Sequence, residues 1–338
     1  MPLPRDRLAR PLRDLRISVV DRCNYRCPYC MPESRYPRDH AFLSSQERLS
    51  AGEIERLAWI FARLGVRKLR LTGGEPLLRA DLSDIVARVA RIEGIDDVAL
   101  TTNGTLLAQS IGPLVRAGLA RVTVSLDALD APTFARMSGG RGRVEDVLAG
   151  IDAAAAAGVR VIKINTVVVR GRNEHAPLEL LAHFRGSGHV VRFIEYMDVG
   201  TCNDWRREDV VTAAELIERI AAVWPLQPRA KAYRAEVASR YTYADGAGEI
   251  GFVTSISAPF CGDCSRARLS ADGKLYTCLF ATDGFDLRTP LRAGASDAEL
   301  ESTIASVWTA RVDRYSEIRA GIEAPALRKR IEMYTIGG

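Results

Sequence analysis

The sequence predicts an α/β fold: six βα units that form a partial, open TIM-like barrel, with a doubly wound sheet as the alternative, followed by a smaller α+β C-terminal domain. Three observations carry this. Short β-branched runs recur six times through the first two thirds of the chain. Longer segments with helical apolar spacing separate them, and strand–helix alternation gives a parallel sheet with right-handed crossovers. Beyond residue 225 the pattern changes to prolines, glycines and short strand-like pieces. The division is therefore placed at 1–224 and 225–338.

In chain order, the predicted strands are residues 15–20, 68–71, 97–102, 121–126, 161–169 and 190–196. Ser50 and Glu53 read as a capping box that opens a helix over 51–64. Helices are expected at 111–117, 144–157 and 178–184, and another over 210–223 closes the barrel region. Residues 249–255 read as a strand. Residues 266–275 read as a hairpin turning at Asp272-Gly273. A last helix is expected near 297–310.

The chain has 338 residues, 47% hydrophobic and 26% charged, with a net charge of +5. These fractions belong to a globular protein and exclude low-complexity and collagenous classes. No apolar run approaches the length of a membrane span. The basic N-terminus lacks the apolar region of a secretory signal, so a cytoplasmic location is expected. Only Lys68, Lys163, Lys231, Lys274 and Lys329 are lysines among 47 cationic residues. Arginine suits bidentate phosphate contacts, but the charge balance is too mild for nucleic-acid binding.

Six of the seven cysteines fall into two tight groups, which argues for metal ligation rather than disulfides. Cys23, Cys27 and Cys30 form a C-x3-C-x2-C run just after the first predicted strand. A structural zinc site wants four ligands, whereas three thiolates suit a four-iron cluster with one iron left open. Cys261, Cys264 and Cys278 form a second set. Zinc is a more serious competitor there, because C-x2-C hairpins commonly hold it, but a fourth ligand is missing unless Cys202 supplies one. Arg266 and Arg268 share one face of the adjoining strand, a spacing fit to clamp a polyphosphate.

The first cysteine run, after strand one of a βα barrel, resembles the radical S-adenosylmethionine (SAM) superfamily. The segments DRCNYRCPYC, LRLTGGEP, TTNG, SLDA, RFIEYMD, PFCGDCSRARL and the Gly337-Gly338 end together resemble the GTP 3′,8-cyclase family, over residue 12 to the last residue. The resemblance implies two [4Fe-4S] clusters, SAM as cosubstrate and GTP as substrate. Cys23, Cys27 and Cys30 match the ligands of the SAM cluster; Cys261, Cys264 and Cys278 match those of the second. Tyr29, Gly74, Ser125 and Met197 match SAM contacts, and Glu75 sits in the motif that meets the SAM amino group. Arg16, Arg70, Thr101, Lys163, Arg266 and Arg268 match GTP contacts, with Arg192 and Lys68 fitting the same basic pocket. Arg266, Arg268, Gly337 and Gly338 are the residues implied nearest the chemistry. Cys202 lies outside the pattern and reads as a plain thiol.

The implied reaction takes hydrogen from ribose C3′ of GTP, joins that carbon to guanine C8, and opens molybdenum-cofactor biosynthesis. A low-potential electron donor of flavodoxin or ferredoxin type is implied, and a homodimer is the default assembly. Two other readings stay open. A radical-SAM peptide maturase would carry more C-terminal cysteines and has no need of the Arg266/Arg268 pair. A zinc-stabilised binding protein would use the barrel for recognition alone.

Overall fold

The computed structural model describes residues 3–233, 235–319 and 330–337. All six predicted strands form: β1 (Asp14–Ser18), β2 (Lys68–Thr72), β3 (Asp97–Thr102), β4 (Arg121–Ser125), β5 (Ile162–Val168) and β6 (Val190–Glu195). They lie side by side in sequence order, each parallel to the next. The connecting helices are α1 (Ala51–Arg63), α2 (Leu82–Val89), α3 (Leu107–Arg116), α4 (Ala131–Ser138), α5 (Val144–Ala156) and α6 (Ala176–Phe184).

Local chemistry explains where these helices start. Ser50 caps α1 with both arms of the capping box formed. Asp130 caps α4 by accepting from the Thr133 amide at 2.8 Å, with Pro132 in the first turn. α2 and α4 were absent from the sequence reading, and α3 begins at Leu107 rather than 111, with Leu106 at its N-cap offering no side-chain hydrogen bond to mark the start. α7 (Ala213–Ala221), capped by Thr212, is shorter than its expected span.

The sheet continues past β6. β7 (Leu226–Arg229), β8 (Ser239–Tyr243) and β9 (Glu249–Val253) form an antiparallel meander, and β9 lies parallel to β6. β10 (Arg266–Leu269), β11 (Lys274–Tyr276) and β12 (Phe285–Asp286) form a second meander, and β10 lies parallel to β1. The expected hairpin is thus present, turning at Gly273 with φ 79°. The result is one open sheet of 12 strands, in the order β12-β11-β10-β1-β2-β3-β4-β5-β6-β9-β8-β7. The α/β, partial-barrel fold class holds, and the boundary expected at 225 falls between α7 and β7. α8 (Arg288–Arg292), α9 (Asp297–Thr309), α10 (Tyr315–Ile318) and α11 (Met333–Ile336) complete the chain. Among the described residues no helix is long and apolar enough to cross a membrane.

Strand alternation separates core from site. Leu15, Ile17, Leu69, Leu71, Ile162 and Ile164 are buried in one core with Ile54, Leu57 and Phe61 of α1. Each such side chain stabilises the fold by about 1.5–3 kcal/mol. The alternate positions, Arg16, Arg70, Lys163 and Asn165, point the other way and line a cavity. Register completes the arrangement: Arg16 is the direct neighbour of both Arg268 and Arg70 on the flanking strands.

Candidate functional site

A cavity of ≈ 360 Å³ opens on the polar face of the sheet, and both cysteine sets line it. Cys23, Cys27 and Cys30 sit on the loop after β1. The loop turns through hydrogen bonds from the Cys30 and Met31 amides to the Cys27 carbonyl, at 3.0 and 2.9 Å. Arg26 ties it from inside, donating to the carbonyls of Tyr36, Cys23 and Tyr25 at 2.8–2.9 Å. Burial pushes the Cys23 thiol up to about 12 and raises Cys27 and Cys30 too; Cys23 adds to the rise at both. The three thiols thus lie near enough to feel one another's charge. The donor set is three thiolates, which suits a four-iron cluster with one iron left open better than a closed tetrahedral zinc site that wants four ligands.

The strand ends complete this side. Tyr29 donates to Asp127 at 2.7 Å and so pins the cysteine loop to the end of β4. Gly73 and Gly74 are glycines because the cysteine loop runs against them. A Cβ on Gly74 would stand 2.3 Å from the Arg22 carbonyl oxygen, and one on Gly73 2.2 Å from that of Val20. The Glu75 carboxylate accepts from Thr102 Oγ1 and the Asn103 amide, both at 2.7 Å, and burial pushes it up to about 7. Tyr29, Gly74, Ser125 and Met197 all line the cavity.

Next to them stands a wall of cations. Arg16, Arg70, Lys163, Arg192 and Arg268 line the cavity, and among the described residues none is ion-paired. Burial, and then the neighbouring cations, lower their pKa values: Arg70 to about 10, Arg192 and Arg268 to about 9, Lys163 to about 8, and Arg16 well below its usual value. Such a group of desolvated, uncompensated charges is unfavourable alone and is relieved by an anion. Arg70 donates to Thr101 Oγ1 at 2.9 Å and Thr123 Oγ1 at 3.1 Å, and Arg192 to Asn165 Oδ1 at 3.0 Å, which fixes their directions. Lys68 lies 4.0 Å from the Tyr233 ring centre.

The second cysteine set occupies the wall made by β10 and β11. Cys261 and Cys264 flank a helical turn closed by the Cys264 amide on the Cys261 carbonyl at 3.1 Å. Burial opposes a thiolate at Cys264, but Arg266 and Arg311 outweigh it and bring the thiol down to about 6. Arg266 is thus already partnered, unlike the other cations of the wall. Cys278 is pushed up to about 11, by burial first and Asp313 second.

The last described residues are seated against the cavity wall. Gly337 is buried with φ 70°, and Arg268 donates to its carbonyl and, at 3.3 Å, to that of Ile336. Gly338 lies outside the described residues. Cys202 is a buried thiol, 3.0 Å from Glu332 Oε2 and 3.4 Å from the Cys30 carbonyl. Glu332 also accepts from the Thr201 amide and hydroxyl at 2.9 and 2.8 Å, so it anchors the last segment beside the first cysteine loop.

Comparison with known proteins agrees with this geometry. Residues 17–184 match the Radical SAM superfamily, and residues 189–317 match the family described as Molybdenum Cofactor Synthesis C. The GTP 3′,8-cyclase of Xanthomonas axonopodis pv. citri is 56% identical over 333 residues, 98% of either chain. The GTP 3′,8-cyclase of Staphylococcus aureus strain JH9 is 44% identical over 336 residues, 99% of this chain and 98% of the relative. The chain belongs to the GTP 3′,8-cyclase family. Among solved structures, Streptococcus suis SuiB bound to S-adenosylmethionine has a TM-score of 0.60 at 16% identity, covering 92% of this chain and 68% of SuiB. That likeness shows the shared fold of the barrel and its extension.

Within the GTP 3′,8-cyclase family frame, the expected site residues that are described line one cavity, except Gly337, which is held against the lining residue Arg268. The sequence reading missed three kinds of support. Asp127 lies in the SLDA segment but was given no role, and it anchors Tyr29. Glu332 carried no motif. Arg10 and Arg311, which touch the second cysteine loop, and Asp6, which pairs with both, were lost among unremarkable charges.

Proposed function

We propose that the chain converts GTP to (8S)-3′,8-cyclo-7,8-dihydroguanosine 5′-triphosphate, the step its curated relatives are named for, early in molybdenum-cofactor biosynthesis. The observation that carries this is the wall of cations, Arg268 buried and the others half-buried, that have no ion-pair partner among the described residues and stand between two three-cysteine groups. A triphosphate is the kind of ligand that compensates such a wall. Cys23, Cys27 and Cys30 would hold one [4Fe-4S] cluster, and Cys261, Cys264 and Cys278 a second. With SAM bound, the first cluster would supply the one-electron reduction that cleaves SAM and so starts ring closure.

The chain's own residues do the rest. Tyr29, Gly74, Ser125 and Met197 seat SAM, with Glu75 as acceptor for its amino group. Arg16, Arg70, Lys163, Arg192 and Arg268 neutralise the triphosphate, with Thr101 and Lys68 at its edge. Arg266, already facing Cys264, guides the guanine end toward the second cluster. Arg268 also holds Gly337 and through it the Gly337-Gly338 end, which orients the ribose and excludes water from the reacting carbon. Residues 1–224 thus carry the SAM site and most of the triphosphate contacts, and residues 225–338 bring the second cluster, Arg266, Arg268 and the tail. A low-potential donor of flavodoxin or ferredoxin type, a homodimer and a cytoplasmic setting complete the reading.

The test is anaerobic incubation of the reconstituted chain with SAM, reductant and each nucleoside triphosphate in turn. GTP alone should give 5′-deoxyadenosine coupled to a cyclised nucleotide. Equal 5′-deoxyadenosine yields with every nucleotide, and no cyclised product, would refute the assignment.

A further inference from the structure

The second cysteine set has neighbours that neither the barrel nor the proposed cyclisation uses. The N-terminal residues fold back on themselves, with Arg5 bridging Pro11. Ala9 in this turn has φ 58°, a left-handed conformation that an L side chain disfavours. The turn places Asp6 beside Arg10. The Asp6 side chain is fully buried, and those of Arg10 and Arg311 are 2% exposed. Asp6 Oδ2 meets Arg10 Nε at 2.5 Å and Arg311 Nη1 at 3.3 Å.

Both guanidinium groups then reach the cysteine loop. Arg10 Nη1 donates to the Cys261 carbonyl at 2.7 Å and to the Asp313 carbonyl at 2.8 Å. Arg311 Nη1 donates to the Cys264 carbonyl at 2.8 Å. The third cysteine is reached through Asp313, whose carboxylate accepts from Thr277, the residue before Cys278, at 2.6 Å and lies 3.4 Å from Arg311 Nε. Trp308 supports the group from behind: its indole donates to the Arg10 carbonyl at 3.1 Å, and its ring centre is 4.6 Å from the Arg311 guanidinium carbon. Arg10 Nη2, in the same guanidinium, has no hydrogen-bond partner among the described residues. A donor buried this deeply normally has one.

We propose that Asp6, Arg10 and Arg311 form a positioning triad for the group held by Cys261, Cys264 and Cys278: one buried carboxylate aligns two guanidinium groups that fix the cysteine loop and set the charge beside it. This rests on the reading that the second set holds an iron–sulfur cluster. Two buried arginines on ligand carbonyls are costly as a device for stability alone. They are well suited to a group that gains negative charge on reduction, since hydrogen bonds and net charge nearby set its potential. Arg311 favours the reduced form, and Asp6 opposes it.

The experiment is a reductive titration of the anaerobically reconstituted full chain, followed by electron paramagnetic resonance and iron analysis. SAM addition marks the signal of the first cluster and serves as the fold control. Arg311→Gln should move the second cluster to a more negative potential. Asp6→Asn, of the same shape, should move it to a more positive one. Arg311→Lys keeps the charge but loses the fork, so it should hold the wild-type potential while retaining less iron. Arg10→Lys stands in if Asp6→Asn loses its SAM response, and is expected to behave as Arg311→Lys does. Wild-type chain with iron for one cluster only would overturn the two-cluster reading and the triad with it. Two clusters in the wild type, with potentials unmoved or moved the same way in Arg311→Gln and Asp6→Asn, would overturn the triad alone.

Discussion

The Arg268 guanidinium donates to the Gly337 carbonyl, joining a strand of the cavity wall to the penultimate residue of the chain. A Cβ on Gly337 would stand 2.0 Å from Thr72 Cγ2, and its φ of 70° favours glycine. Deleting Gly337 and Gly338, or changing both to alanine, should leave both clusters and SAM binding intact and abolish cyclised product. Anaerobic product analysis of the truncated chain decides; product at the full-length level would make the tail a passive terminus.

The cation wall should discriminate between ligands. Arg268→Ala or Arg70→Ala should weaken GTP by roughly ten- to a hundredfold, the loss of a charge-assisted contact of about 1.5–3 kcal/mol, while SAM affinity changes little. Lysine at either position should rescue poorly, because it lacks the planar fork. Titration calorimetry with each ligand checks this, and equal losses for SAM and GTP would indicate misfolding instead.

The cysteine sets should load independently. Cys27→Ala should keep about half the iron and lose SAM cleavage, whereas Cys264→Ala should lose about half the iron yet still cleave SAM slowly without cyclisation. Complete iron loss in either single variant would mean that the two sets form one unit.

GTP binding should take up a proton at alkaline pH. Burial first, and then Arg192 and Arg121, bring Lys163 from 10.5 down to about 8 in the free chain. A bound triphosphate draws that value back up, so affinity is greatest below about pH 8 and falls as pH rises from 8 toward 10.5. The free chain behaves oppositely: its lowered value costs stability below 8, and the cost is relieved as pH rises through that window. Calorimetry at about pH 9 in two buffers of different ionisation enthalpy should show net proton uptake that is reduced in Lys163→Met, with Arg192 and Arg268, which stand at about 9, accounting for the remainder. Uptake unchanged in the variant would assign the proton elsewhere.

The strands and the cysteine sets were legible because each is local: β-branched runs such as 121–125, and C-x2-C spacing, need no knowledge of distant chain. α4 was missed although Asp130 and Pro132 carried a readable start signal. The joining of β10 to β1 was not legible, since nothing in residues 14–18 announces a partner some 250 residues away. Gly74 was matched to a SAM contact through its motif alone; the structure gives the glycines at 73 and 74 a nearer cause in the backbone of Val20 and Arg22. Asp6 and Arg10 could not be found from sequence, because burial alone distinguishes them from the other charges of a basic N-terminus.

The placement of β9 beside β6 and of β10 beside β1 bears on how the protein is made. A nascent chain that has not yet emerged through residue 249 presents both flanks of its six parallel strands with main-chain groups unpaired, each a template for pairing with another chain. The last quarter of the polypeptide seals both flanks. A chain stalled before that point keeps both templates exposed, and its open flanks are where aggregation would start.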